Sequence, residues 1–311
     1  MEESWTFYRS ALPPLFLSVT VVIGLLILVG NILLLLTFKR MPKIKTMHAF
    51  MIGLAAADLL TVALYSVSMV IIGAGGIWMS DSMCRWYGVS STTVTGMTTW
   101  IQSGLCIERS LAILKPVSHR NFSKSKYWKH IIASIVVMDL VCPFTICAMV
   151  MSSGVVQFKF FPYLPGCVFV VDRNMIATIF TAYLVIPFTI QVVTHSLVLY
   201  RVSKLQSASR AKLLKTVKTI ALTLALYYMC WVPFVIQVTW KTAGKSGYPP
   251  ALVTVSASFL MTNSCMSFVI YYTTLPEFKK MFHSLLVEVK KCAALTNSNA
   301  LRVYPTSTTI Q

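Results

Sequence analysis

Residues 15–38 read LFLSVTVVIGLLILVGNILLLLTF, with no charged side chain. A bilayer core takes a helix of about 20 apolar residues, so this stretch is long enough to span one. It ends on Lys39, Arg40, Lys43 and Lys45, and the residues ahead of it include Glu2 and Glu3. A secretory leader has the opposite order: basic residues first, an apolar run of about 7–15 residues, then a small-residue cleavage site. The stretch is therefore read as a retained span with its C-terminal end in the cytoplasm.

Working outward, six further apolar stretches follow at 49–72, 84–107, 131–151, 175–200, 217–240 and 251–272. Asp58 and Asp139 are the acids within them, and Asp139 is assigned no role. The composition agrees: 56% hydrophobic and 12% charged, where a soluble domain carries about 45–50% and about 25%. The chain is read as an all-α membrane protein, a seven-transmembrane helix bundle with an amphipathic eighth helix. Residues 1–14 form a short extracellular N-terminus, 15–272 the bundle, 276–290 helix 8 and 291–311 a disordered cytoplasmic tail. Phe278, Met281, Phe282, Leu285, Leu286 and Val289 recur at helical spacing opposite Lys279 and Lys280, the pattern of a helix lying on the inner membrane surface.

The net charge of +18 would suggest nucleic acid in a soluble protein. Placed on the seven spans, 21 of the 27 basic residues fall on the presumed cytoplasmic side. Only Arg9, Arg85, Lys159, Arg173, Lys241 and Lys245 fall outside. This is the positive-inside bias, with anionic membrane lipids as the partner and no nucleic acid. Among the eight cysteines only Cys84 and Cys167 lie on the outer side. A disulfide there would sit in an oxidising compartment and tie the loop between spans four and five over the bundle mouth. Cys292 is a candidate for palmitoylation. Cysteines and histidines show no metal-ligand spacing. The sequon at Asn121 lies on the cytoplasmic side and is expected to stay unglycosylated. Thr306, Ser307, Thr308 and Thr309 offer phosphosites or simply a polar tail.

Polar side chains inside spans are costly and turn inward. Asn31, Asp58, Thr98, Asn263, Ser264 and Ser267 fall near mid-depth. Asp58 is either a hydrogen-bonded plug that positions helices or a site for a small cation or proton. The third span carries Ser90, Ser91, Thr92, Thr93, Thr95, Thr98, Thr99 and Ser103, which favours a central helix packed closely by its neighbours. Pro187 and Pro233 are expected to bend spans five and six.

These residues together resemble the rhodopsin-like (class A) G-protein-coupled receptors, from residue 15 to about 289. The matching features are Gly30-Asn31, Leu54-Ala55-Ala56-Ala57-Asp58, Cys84 standing 25 positions before Arg109, Glu108-Arg109-Ser110, Cys167, Pro187, Cys230-Trp231-Val232-Pro233, Asn263-Ser264 and Tyr271. The resemblance implies an extracellular ligand and a heterotrimeric G protein as partners, with arrestin a further one. Outward movement of helix 6 would admit the G protein. Glu108, Arg109 and Tyr271 would form the G-protein switch, with Glu108 holding Arg109 when inactive. Trp231, Pro233 and Pro187 would be toggle and hinge. Asp58, Thr98, Asn263 and Ser267 would form a pocket for an allosteric sodium ion. The implied ligand pocket is Tyr65, Tyr87, Ser91, Thr92, Thr95, Ile179, Tyr183, Phe234, Val235, Gln237, Val238 and Ala257.

Several positions depart from the family. Its Asn-Pro-x-x-Tyr reads Ser267-Phe268-Val269-Ile270-Tyr271, which predicts a straighter helix 7 and one sodium-site group fewer. Ser110 replaces an aromatic, His195 a tyrosine, and Val136 stands nearest a missing tryptophan. No acid occurs from Arg201 to Lys218, which predicts weak inactive-state locking and appreciable basal signalling. Ser91 replaces the acid that would anchor an amine, and Met261 the lysine that would hold retinal. The expected ligand is a peptide or a neutral or anionic small molecule. Two other classes remain: a receptor-like protein that does not signal through G proteins, and a transporter or channel, which lacks the expected internal symmetry. An enzyme is not expected, because no nucleophile, base and orienting residue converge.

Overall fold

The computed structural model describes residues 12–66, 81–124, 156–160, 167–171, 180–204, 207–242 and 250–303, with isolated positions between 133 and 141. The span expected at 131–151, with Val136 and Asp139, lies almost wholly outside the described residues.

Helix α1, Leu12–Lys39, is inverted relative to a soluble helix. Val22, Leu25, Leu26 and Val29 are each more than half exposed, while Thr20, Asn31 and Thr37 are buried. An apolar face turned outward and hydroxyls turned inward is the arrangement that lipid requires. Helix α2, Thr46–Thr61, continues into a π-helical turn, Val62–Ser66. Helix α3, Asp81–Leu114, is followed by a short helix α4, Pro116–Lys124. Strands β1, Val156–Phe160, and β2, Cys167–Val171, pair antiparallel with Phe160 opposite Cys167, and both lie against α3. This hairpin adds a β element to the loop expected between spans four and five.

A π-helical turn, Thr181–Val185, leads into α5, Ile186–Ser203. Pro187 has no N–H to give, and its ring crowds the carbonyl four residues back. The widened turn just before it absorbs both. Helix α6, Ser207–Thr242, contains Pro233. Helix α7, Pro250–Thr274, runs through Phe268. Helix α8, Pro276–Val303, runs past the expected end at 290 into the segment read as a disordered tail. No Gly or Pro interrupts the sequence from Glu277 until Pro305.

The described helices close a ring in the order α3–α2–α1–α7–α6–α5 and back to α3, with α8 against α1 and α7. Among them, Leu17–Lys39, Thr46–Leu64 and Thr181–Ser203 are long and apolar enough to cross a membrane, and Leu224–Trp240 is a shorter apolar helix. The central position expected for α3 is reflected in the burial of Thr93, Thr98, Thr99 and Ser103. Two glycines on α3 set close approaches. A Cβ on Gly104 would lie 2.7 Å from the Phe50 ring of α2, and one on Gly96 would lie 2.9 Å from the Tyr183 ring.

Candidate functional site

At the far end of α3 from the hairpin, Glu108 is buried. Thr46 Oγ1 of α2 donates to Glu108 Oε1 at 2.5 Å, and His119 Nε2 of α4 reaches the same oxygen at 2.9 Å. Glu108 Oε2 is buried with no hydrogen-bond partner among the described residues. The adjacent Arg109 makes no salt bridge with Glu108. Tyr271 of α7 is buried. Ser110 bonds the Cys106 carbonyl at 2.8 Å and reaches the Thr194 carbonyl of α5 at 3.4 Å. A small hydroxyl thus replaces an aromatic and brings α5 close to α3.

The corner between α1, α2, α7 and α8 is aromatic. Phe278 is fully buried and sits 5.4 Å from Phe38 and 6.0 Å from Phe268, centre to centre. Phe268 also lies 5.2 Å from Phe282. Lys45 grips both oxygens of Glu277 at 3.0 and 2.8 Å, and Arg40 pairs with Glu288. The ammonium of Lys45 holds the Glu277 carboxyl below its ordinary value, with the hydrogen bond the main cause.

At mid-depth, Asp58 is buried and accepts from Ser267 Oγ at 3.2 Å, with the Ser264 hydroxyl beside it. Thr98 is buried on α3 and spends its proton on the Thr95 carbonyl at 2.8 Å. Asn263 is half-buried. Asn31 donates to the Ile27 carbonyl at 3.0 Å and to the Ser264 carbonyl at 3.3 Å, so α1 and α7 meet at the same depth. The side-chain groups shown against the Asp58 carboxylate are the Ser267 and Ser264 hydroxyls. Among the described residues no cluster of three or more His, Cys, Asp or Glu suits a metal ion.

Trp231 is buried and stands edge-on to Phe234, 5.7 Å between centres. Tyr227 lies below it at 6.1 Å. Of the expected pocket, Tyr183 is buried against Gly96, and Thr95, Phe234, Val235, Gln237 and Val238 are half-buried. Ile179 lies outside the described residues, as do the side chains of Tyr65, Tyr87, Ser91, Thr92 and Ala257. The side chains of Cys84 and Cys167 are also outside them, so the disulfide stays an expectation.

A family model described as "7 transmembrane receptor (rhodopsin family)" matches residues 30–271. The chain belongs to this family. Similar proteins include Sphingosine 1-phosphate receptor 1 of Danio rerio, 24% identical over 86% of this chain and 77% of its own. Adenosine receptor A3 of Ovis aries is 23% identical over 92% and 93%. C-X-C chemokine receptor type 4-B of Xenopus laevis is 22% identical over 95% and 84%. As a rhodopsin-family receptor the chain is a multi-pass membrane protein, and its named relatives are receptors rather than enzymes.

Within this rhodopsin-family frame, sequence reasoning left Thr46, His119, Gln191 and Tyr228 without a role. Gln191 of α5 is fully buried. Its Nε2 donates to Ser103 Oγ at 2.9 Å, and Tyr228 OH donates to its Oε1 at 2.6 Å. A lone amide in an apolar span is expensive, and that cost was the available signal. His195 is buried one turn on, with Nδ1 3.3 Å from the Gln191 carbonyl, a packing role for the ring.

Proposed function

We propose that the protein binds an extracellular ligand and activates heterotrimeric G proteins, with the inner part of α6 swinging outward. The orientation puts the Arg109 end in the cytoplasm. The observation that carries the reading is the geometry at Arg109. Its neighbouring acid is held by Thr46 and His119, so the guanidinium is left for an incoming partner that presents carbonyl or carboxylate oxygens. Tyr271 is buried on α7. Trp231 and Pro233 link this end to the pocket above, and a bundle of this kind changes state when a ligand binds one packing better than another.

Asp58, Ser267 and Thr98, with Asn263 nearby, would hold a sodium ion. A carboxylate with hydroxyl oxygens beside it suits a hard cation. Such an ion would supply positive charge that favours the packing in which α7 and α2 stay together. The pocket has no acid at Ser91, which argues against an amine, and no lysine at Met261, which argues against retinal. The relatives are named for a phosphorylated lipid base, a nucleoside and a protein. They therefore do not choose between a peptide and a neutral or anionic small molecule.

The test is a panel of G-protein dissociation assays in cells, with and without Arg109→Ala. A basal or ligand-driven signal that disappears with Arg109→Ala supports the proposal. Silence across the panel at good surface expression favours a second reading, a receptor that signals without G proteins. Phe268, locked among Phe278 and Phe282 where the family has its proline, is the observation on that side.

A further inference from the structure

We infer that Ser103, Gln191 and Tyr228 form a latch that holds α6 to α5 and α3 in the resting receptor. The inference rests on the signalling proposal above and names how that site is restrained. Gln191 supplies both halves of the latch. Its amide nitrogen donates to Ser103 Oγ on α3, and its amide oxygen accepts from Tyr228 OH on α6. Ser103 in turn donates to the Thr99 carbonyl at 3.0 Å, with the Pro187 carbonyl at 3.3 Å. The node thus spans three helices and includes the carbonyl of the proline that follows the π turn.

Its position gives it leverage. Tyr228 lies one turn from Trp231 toward the Arg109 end, on the segment below Pro233. Ser103 lies on α3 six residues before Arg109, about 9 Å along the axis at 1.5 Å per residue. If that segment of α6 moves outward, a phenol–amide bond of 2.6 Å is lost within about 1 Å of travel. Gln191 is fully buried, so the freed carbonyl finds no water, and an unpaired buried acceptor is penalised. Phe188 packs edge-on against the Tyr228 ring at 4.3 Å, which fixes the ring's plane. Many receptor bundles rely on an acid near the base of helix 6. This chain has none between Arg201 and Lys218, and the neutral node stands deeper, where salt does not screen it.

Tyr228→Phe removes one oxygen and keeps the ring on Phe188. Gln191→Leu removes the centre of the node, and Ser103→Ala its far anchor. Each is compared with wild type in full-length receptor at matched surface expression, by basal G-protein dissociation and by spin-label distances between the Arg109-end segments of α3 and α6. A transmembrane hydrogen bond of ordinary strength converts to about a threefold shift in the resting equilibrium, up to roughly tenfold for a strong one. Tyr228→Phe and Gln191→Leu should each raise basal signal about three- to tenfold and populate longer distances. The double variant should match Gln191→Leu within about twofold, because Gln191→Leu already breaks the bond that Tyr228→Phe removes. If wild type and variants all fail to engage G protein while Tyr228→Phe lengthens the distances, the signalling proposal falls and the latch stands. Unchanged signal and unchanged distances in Tyr228→Phe overturn the latch. So do fully multiplicative effects in the double variant, or a fall in basal signal. Should Gln191→Leu fail to reach the surface, Tyr228→Phe and Ser103→Ala decide the matter by the same criteria.

Discussion

The Arg109 end of the bundle has two unlike halves. On the α1–α2–α7–α8 side, Phe38, Phe268, Phe278 and Phe282 interlock, two ion pairs join α8 to the turn after α1, and the Glu108 node ties α3 to α2 and α4. On the α3–α5–α6 side, Val198 and Val202 meet Ile113 and Leu114, and α6 is hydrogen-bonded through Tyr228 to a neutral amide. Among the described residues one half is braced by rings and charges; the other by small apolar contacts, the Phe188–Tyr228 ring pair and neutral hydrogen bonds. The outward movement proposed for α6 falls on the side whose restraints, among the described residues, are uncharged.

Damage to the braced half should therefore appear first as lost stability. The largest effect is expected from Phe268→Pro, which removes a hydrogen bond inside α7 and takes a ring out of the aromatic corner. The cost is about 3 kcal/mol, or a fall of roughly 6–12 °C in the thermal midpoint of the purified receptor. An unchanged midpoint would remove the basis for calling this half braced. Next comes Glu108→Ala, which strips Thr46 and His119 of their shared acceptor at a cost of about 2 kcal/mol. Glu108→Gln keeps the Thr46 bond and should lose about half as much in the same melt.

Gly104→Ala tests the closeness of α2 and α3. The added methyl forces the Phe50 ring aside, at about 1 kcal/mol net of the better helix propensity of alanine. Phe50→Leu in the same chain should restore most of it, and a loss that persists would place the strain elsewhere. The smallest effect belongs to Glu277→Gln. The Lys45 pair is exposed, so its contribution is about 0.3 kcal/mol. The carboxyl is held below its unfolded value of 4.5. The contribution is therefore complete above that value and is lost as pH falls through the lower folded-state value. Wild type and Glu277→Gln melts should differ slightly at neutral pH and converge in acid.

The spans at α1, α2, α3, α5, α6 and α7 were legible because lipid imposes a length and an apolarity that any sequence must display. The hydroxyl run of α3 likewise pointed inward, and Thr93, Thr98, Thr99 and Ser103 are buried. The nodes were less legible. Thr46 and Glu108 are 62 residues apart, Ser103 and Gln191 88, and Gln191 and Tyr228 37. A hydrogen bond between helices depends on rotation and depth, which no local pattern records. His119 illustrates the point. Between Ser118 and Arg120 it reads as one more polar residue of a short connector, and only the fold of α4 under α3 brings its ring to a buried carboxylate.

Phe268 has one more consequence. A helix bent at a proline has a joint, and the two pieces on either side can turn separately. Helix α7 carries no proline after its first residue over Pro250–Thr274, and its last turns are fastened to α8 through Phe268, Phe278 and Phe282. A displacement of the Thr274 end would therefore be passed on to α8 through these rings.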